Sequence, residues 1–208
     1  MSSITAYIIT YNESNNIRDC LNSVLWCDEI IVVDAFSSDD TTEIASSLGA
    51  RVIKNEWPGF PAQKQLGLSK VKTDWGLSLD ADERVSKPLR IAIEYILKAQ
   101  DKKVNGYKIP RLNYHLGKFW PFEVEQRARQ RLSRAAQSRW KGGNVHEFLE
   151  IDGKVERLKE PLIHLRNRDI EKQADTRNRY STLKAQGSSM PGKAQMDGIS
   201  SSGRWPGF

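Results

Sequence analysis

Over the first hundred residues, apolar side chains fall into short runs separated by polar or helically spaced stretches. Residues 4–9 and 29–33 form continuous, β-branched-rich runs, and residues 51–54 and 75–79 are weaker versions, each closed by polar or glycine punctuation. A run without alternation predicts a strand buried on both faces. Between the first two runs, Ile17, Cys20, Leu21 and Val24 recur at i, i+3, i+4 and i+7, which is the inward stripe of a helix. Asp40, with Glu43 three residues on, predicts the cap of a short helix that Gly49 can close in the left-handed conformation. Residues 62–69 form a weaker helix candidate, and Pro88 opens a helix with the stripe Leu89, Ala92, Ile93, Ile96 and Leu97. Strand and helix in alternation imply right-handed crossovers and a mainly parallel α/β sheet.

From Asn105 the pattern loosens. Residues 106–110 predict another strand, residues 145–151 and 154–158 a hairpin around Asp152-Gly153, and residues 170–185 a polar, Arg-rich helix. Residues 187–208 are rich in Gly and Ser, with little apolar surface to bury, and are expected to be a loose tail. The expected organisation is an α/β half over 1–104, a less regular half of the same domain over 105–186, and the tail over 187–208.

Composition adds an electrostatic asymmetry. The chain of 208 residues carries a net charge of +6, but residues 1–100 hold 10 Lys and Arg against 14 Asp and Glu, and residues 101–208 hold 22 against 12. A basic second half calls for an anionic partner: nucleic acid, a phosphorylated substrate or an anionic membrane surface. No run approaches the roughly 18 apolar residues of a membrane helix and the first residues lack a secretory pattern, so a cytoplasmic protein is expected. Cys20 and Cys27 have no metal-ligand spacing and are expected to be reduced, structural thiols.

Ligands of open parallel sheets bind outside the carboxyl ends of the strands. There the sequence has Thr10-Tyr11-Asn12-Glu13 after the first run, Asp34 after the second and Asp80-Ala81-Asp82-Glu83 after the fourth. Two carboxylates at i and i+2 where a strand becomes a loop can hold one hard divalent cation, Mg²⁺ or Mn²⁺, with positions left open for phosphates; the bland alternative is a polar turn leading into the Pro88 helix. Asp34 ends a run too apolar for an unpartnered carboxylate and could accept hydrogen bonds from a base or ribose, or simply cap the next helix. Asp39 and Asp40 suit helix capping. Lys64 comes after the aromatic, proline-rich loop Trp57-Pro58-Gly59-Phe60-Pro61, where it could neutralise a diphosphate or be an ordinary solvated lysine.

In combination these motifs resemble the inverting family two glycosyltransferases of the GT-A fold, in the branch that includes bacterial lipopolysaccharide core glucosyltransferases. The matching residues are Ile8 to Glu13 with Asn16-Ile17, Asp28 to Asp34, Ser38-Asp39 with Thr41, Gly59-Phe60 with Gln63-Lys64, and Leu77 to Glu83. Later matches are Gly106-Tyr107, Ile109-Pro110-Arg111, Asn113, Leu116-Gly117, Trp140, Gly142-Gly143, Val145-His146-Glu147 and Asn178 to Thr182. The resemblance implies that Thr10, Tyr11 and Glu13 border the nucleotide pocket and that Asp34 meets the uracil or ribose of a UDP-sugar. It further implies Lys64 near the donor, Asp80 near the ribose and diphosphate, and Asp82 on the metal. The implied reaction is transfer of a sugar, glucose from UDP-glucose, to a cell-envelope glycan such as the lipopolysaccharide inner core. The implied partners are a nucleotide-sugar and an anionic glycan or glycolipid, with the cytoplasmic face of the inner membrane as a docking surface and no nucleic acid.

Inversion also requires a carboxylate that accepts the proton of the attacking hydroxyl. The branch carries an aromatic-Pro-Asp segment before an Arg-Leu-aromatic-Arg run, whereas here Arg131-Leu132-Ser133-Arg134 is preceded by a segment with Arg127 at the expected acid position. Glu123, Glu125 and Glu147 are the candidate replacements. The branch also continues into a long basic amphipathic region where this chain has its short Gly/Ser tail, which predicts weaker membrane attachment. Two alternatives remain: a catalytically weakened relative that binds nucleotide, and a basic nucleic-acid-binding protein using the arginines of residues 127–141. The second lacks stacking aromatics and a reader fold signature. His164 is read as structural, and His146 as lining the acceptor side.

Overall fold

In a computed structural model the placement of residues 1–115, 118–119, 128–143 and 147–165 is described. The chain runs β1 (Ile4–Thr10), α1 (Ser14–Asn22), β2 (Glu29–Asp34), α2 (Thr41–Ser47), β3 (Arg51–Lys54), α3 (Phe60–Ser69), β4 (Trp75–Asp80), β5 (Glu83–Val85) and α4 (Lys87–Ala99). It continues as β6 (Val104–Ile109), β7 (Arg111–His115), β8 (Lys118–Phe119), β9 (Arg129–Arg134), β10 (Ser138–Lys141), β11 (Phe148–Ile151), β12 (Lys154–Arg157) and β13 (Leu162–Leu165). The main sheet has the order β12-β6-β9-β4-β1-β2-β3. All its neighbouring pairs are parallel except those that β9 makes with β4 and β6.

Both faces of this sheet are covered, which is why its central strands carry no polar alternation. Ala6 and Ile8 of β1 point into a core with Ile17, Cys20 and Leu21 of α1 and Leu89, Ile93 and Leu97 of α4. Tyr7 and Ile9 point the other way, to Val33, Leu68 of α3, Trp140 and Leu149. Gly67 allows α3 its close approach, because a Cβ there would lie 3.0 Å from the Tyr7 ring. Strand β4 alternates in the same sense: Trp75, Leu77 and Leu79 join the first core, leaving Ser78 and Asp80 on the α3 face.

Two expectations are corrected. Residues 148–151 and 154–157 do not form a hairpin: β11 pairs antiparallel with β10, and β12 pairs parallel with β6 at the sheet edge. The Asp152-Gly153 turn, with Gly153 at φ +100°, is held by Asn105, whose Nδ2 donates to the Asp152 carbonyl at 2.6 Å and occupies the space a Cβ at Gly153 would need. That contact turns the chain out toward β6. The Arg-rich stretch around residue 131, sparse in apolar positions, is the central strand β9. Asp40, expected to cap α2, makes no side-chain cap; Asp39 instead accepts from the Ser14 and Thr41 amides, each at 3.1 Å, and ties the starts of α1 and α2 together. The predicted helix over 170–185 and the tail lie outside the described residues.

Candidate active site

Three neighbouring strands end at one rim. Thr10 of β1 stands in register with Asp34 of β2, and Ile9 with Asp80 of β4. Asp34 is fully buried, and its carboxylate accepts from the backbone amide of Ser37 at 2.8 Å and from the Ser37 hydroxyl. Thr10 is buried with its hydroxyl oxygen unpartnered. Between these strand ends, Asn12 at φ +53° accepts from the Ser38 amide at 2.8 Å, closing the first loop onto the second.

Glu13 is mostly buried beside Asn16, whose Nδ2 donates to its Oε2 at 2.7 Å. Burial pushes its carboxyl up to about 7, with Asp82 and Asp39 adding to the shift and the Asn16 hydrogen bond opposing it. A carboxyl raised on folding binds its proton better in the folded state, so its contribution to stability is lost as pH climbs from the ordinary value of 4.5 through 7. Glu13→Gln imitates the protonated form. With a chelator present, its melting temperature should exceed that of the wild type at pH 8 and converge on it near pH 5, the gain reaching up to about 3 kcal/mol; equal differences at both pH values would refute this.

The turn after β4 is fixed by its own residues. The Asp80 amide donates to Glu83 Oε2 at 3.0 Å, and Arg84 Nη1 donates to the carbonyls of Ala81 and Glu83 at 2.8 and 2.9 Å. Asp80 Oδ1 lies 3.0 Å from Lys64 Nζ, and Oδ2 accepts from Arg131 Nη2 at 2.8 Å. Burial alone would raise this carboxyl, but Arg131 and Lys64 outweigh it and hold it well below the usual carboxylate range. Lys64 is buried rather than solvated, with only 2% of its side chain exposed, 4.9 Å from the Trp140 ring and 3.3 Å from Glu147 Oε1.

Asp82 meets a residue from a second, four-stranded sheet of order β5-β13-β7-β8. Strand β13 runs beside β5 and β7, with His164 opposite Glu83 and Asn113. His164 Nε2 lies 3.2 Å from Asp82 Oδ2, and its Nδ1 lies 2.8 Å from Asn113 Oδ1. The amide oxygen can only accept, so Nδ1 carries a proton and Nε2 is left facing the carboxylate. A hard cation between them would find one nitrogen and one oxygen donor at a half-exposed loop, with its other positions left to phosphates and water. Among the described residues no group of three or more His, Cys, Asp or Glu gathers as a metal site, so Asp82 and His164 offer two donors and no closed cage.

Of the residues expected at the site, Asp80, Lys64 and Glu147 are therefore linked directly, while Asp34 and Glu13 are engaged at the neighbouring loops. Glu123 and Glu125 lie outside the described residues, as does His146. Sequence reasoning gives Glu83 no role of its own and Arg131 none beyond the nucleic-acid alternative, yet the two are paired at 2.9 Å, and it reads as structural the His164 that meets Asp82. A basic residue within a strand that ends beside acidic ones is the available signal for Arg131. Cys20 and Cys27 are free; burial raises both thiols, Cys27 to about 12.

A mainly parallel sheet covered on both faces, with carboxylates delivered to its carboxyl rim and a second sheet packed against the last of them, is the GT-A fold of glycosyltransferases. Comparison with known proteins agrees. The profile of Glycosyl transferase family 2 matches residues 5–149, and the chain belongs to that family. It is 33% identical over 190 residues, 88% of this chain and 70% of the relative, to the lipopolysaccharide core biosynthesis glycosyltransferase LpsC of Rhizobium meliloti (strain 1021). Among solved structures, glucosyl-3-phosphoglycerate synthase from Mycobacterium tuberculosis, in complex with Mn²⁺, UDP and phosphoglyceric acid, superposes with a TM-score of 0.57 at 16% identity over 92% of this chain and 80% of that one. S. aureus TarS 1-349 in complex with UDP-GlcNAc gives 0.58 at 16% identity over 80% and 59%. At that identity these likenesses concern the fold. Among the described residues no helix is long and apolar enough to cross a membrane.

Proposed function

We propose that the protein is an inverting, divalent-cation-assisted hexosyltransferase that moves glucose from UDP-glucose onto an anionic cell-envelope glycan of the lipopolysaccharide inner-core type, at the cytoplasmic face of the membrane. The observation that carries this reading is the meeting of Asp80, Lys64, Asp82 and His164 at one strand end. The relationship to LpsC supports the acceptor class, and the complexes of the fold relatives with UDP and Mn²⁺ support the donor and the ion.

In this reading Thr10, Tyr11, Glu13 and Asp34 line the nucleotide side. Asp80 orients the ribose and diphosphate, and Asp82 with His164 would hold the cation, which when bound offsets the charge that develops on the departing diphosphate. Lys64, poised on Asp80, supplies a second positive charge to the same oxygens. Glu147 accepts the proton of the acceptor hydroxyl; it is the candidate base whose side chain touches Lys64. Incubation of the purified protein with UDP-glucose and acceptor should release UDP only when Mn²⁺ or Mg²⁺ is present and give a product of inverted anomeric configuration. Retention of configuration would overturn the reading. Because Glu147 is engaged by both Lys64 and Arg129, a second reading stands beside it: a relative that binds nucleotide but turns over poorly, which calorimetric UDP binding without transfer would identify.

A further inference from the structure

The ion pairs of the site link into one alternating chain. Arg111 lies 3.2 Å from Glu83, which meets Arg131 at 2.9 Å; Arg131 meets Asp80 at 2.8 Å. Asp80 meets Lys64 at 3.0 Å, Lys64 meets Glu147 at 3.3 Å, and Glu147 meets Arg129 at 3.6 Å. Four cations thus alternate with three carboxylates, and both ends of the chain are arginines. Glu83 at 0% and Arg131 and Lys64 at 2% exposure are closed to solvent, Glu147 and Asp80 are 12% and 28% exposed, and the end residues Arg111 and Arg129 are 19% and 44% exposed.

The two ends arise close together in the fold. Arg129 opens β9 opposite Ile109 of β6, and Arg111 opens β7 two residues past Ile109, so both stand at the same end of these strands. Burial and the like charges of Arg111 and Arg131 lower the pKa of Arg129, with the contact to Glu147 at 3.6 Å and the charge of Asp80 opposing them without cancelling them. A negative group between the two guanidinium ends would relieve that crowding and complete a ring of alternating charge. Guanidinium forks suit an oxyanion at such a place. The location also distinguishes donor from acceptor. In the sheet order β9 and β6 lie beyond β4, on the side away from β1 and β2, where Thr10 and Asp34 stand.

We infer that Arg111 and Arg129 form a subsite for an oxyanion group, phosphoryl or carboxylate, carried by the acceptor. This rests on the transferase reading above and adds what the acceptor must carry near its reacting hydroxyl. The subsite also accounts for the excess of one cation over carboxylates in this chain of ion pairs among the described residues.

The test is calorimetric titration of inorganic phosphate into UDP-saturated protein at low ionic strength, with the donor side already occupied. The wild type should bind phosphate, Arg129→Gln should bind it at least tenfold more weakly, and the affinity of the two proteins for UDP should agree within twofold. Arg129 is nearly half exposed, so a matching melting temperature can verify that the variant is folded. Absence of phosphate binding to the wild type, or equal binding by the variant, overturns the subsite. Displacement of UDP by phosphate, or a parallel loss of UDP affinity in the variant, reassigns the arginines to the donor diphosphate and overturns the acceptor assignment. If UDP does not bind at all, the transferase reading falls and takes the acceptor assignment with it, while phosphate titration of the free proteins still decides whether the anion site exists.

Discussion

Arg131→Met should lower the melting temperature by about 10 °C, the largest stability loss expected from any single exchange at the rim. Arg131 is buried between Asp80 and Glu83, and its removal leaves Glu83, with no exposed surface, one cation short. Taking one partner from a buried pair costs about 3–5 kcal/mol, because the remaining charge stays desolvated. Two facts place this case at the lower end. Glu83 retains Arg111 at 3.2 Å and Asp80 retains Lys64 at 3.0 Å, and Arg131 itself buries Nε and Nη1 without partners, which already reduces what its pairing contributes. For a chain of this size each kcal/mol shifts the midpoint by about 2–4 °C, which gives the figure above. Arg131→Lys keeps the charge on a shorter side chain that has to reach both carboxylates where Nη2 alone now serves them, so it should fall between Met and wild type. Calorimetric melts of the three proteins decide the point; a Met variant within about 2 °C of wild type would mean that the cluster is solvated in solution.

The strand that carries Arg131 is also where sequence and structure part company. Strands β1, β2 and β4 are legible to within a residue because burial on both faces removes polar alternation, β3 at the sheet edge by its short Val52-Ile53 core alone, and α1 and α4 because one stripe of each is buried. Strand β9 reads Arg-Gln-Arg-Leu-Ser-Arg, and only Leu132 advertises a core position. Its burial rests on charge pairing with Asp80 and Glu83, which lie some fifty residues earlier, and hydrophobic periodicity does not register such pairs. The expected hairpin fails for a related reason: the turn residues at Asp152-Gly153 carry only a local signal, but the partner that decides where the chain goes, Asn105, is distant in sequence.

Much the same division applies to the site. Carboxylates at strand ends are legible because topology alone brings them to one rim. Lys64 can be read as a donor-side residue only through resemblance, since a lysine at a helix start is ordinarily solvated; the structure buries it against Trp140, Asp80 and Glu147. His164 carries no spacing signal at all. It reaches Asp82 because β13 returns beside β5 in a second sheet, an arrangement without local signature.

That return yields the largest expected effect on activity. His164 Nε2 and Asp82 Oδ2 face each other at 3.2 Å, and the hydrogen bond of Nδ1 to Asn113 holds the ring with Nε2 toward the carboxylate. Two electron-rich atoms at that distance need a positive charge between or beside them, either a proton on the imidazole or a divalent ion shared by both. If the ion is the working partner, Asp82→Ala should weaken Mn²⁺ binding, measured by electron paramagnetic resonance, by about 100-fold and reduce transfer by about 10³-fold, since offsetting charge on the leaving group supplies several kcal/mol at about 1.36 kcal/mol per tenfold in rate. His164→Ala removes the softer donor and should lose less of both. If the pair is only a salt bridge, the two variants should lose stability alike and leave Mn²⁺ affinity unchanged. Full transfer by Asp82→Ala in the presence of a chelator would exclude the ion, and charge on the leaving group would then rest on Lys64, whose Nζ already lies 3.0 Å from Asp80.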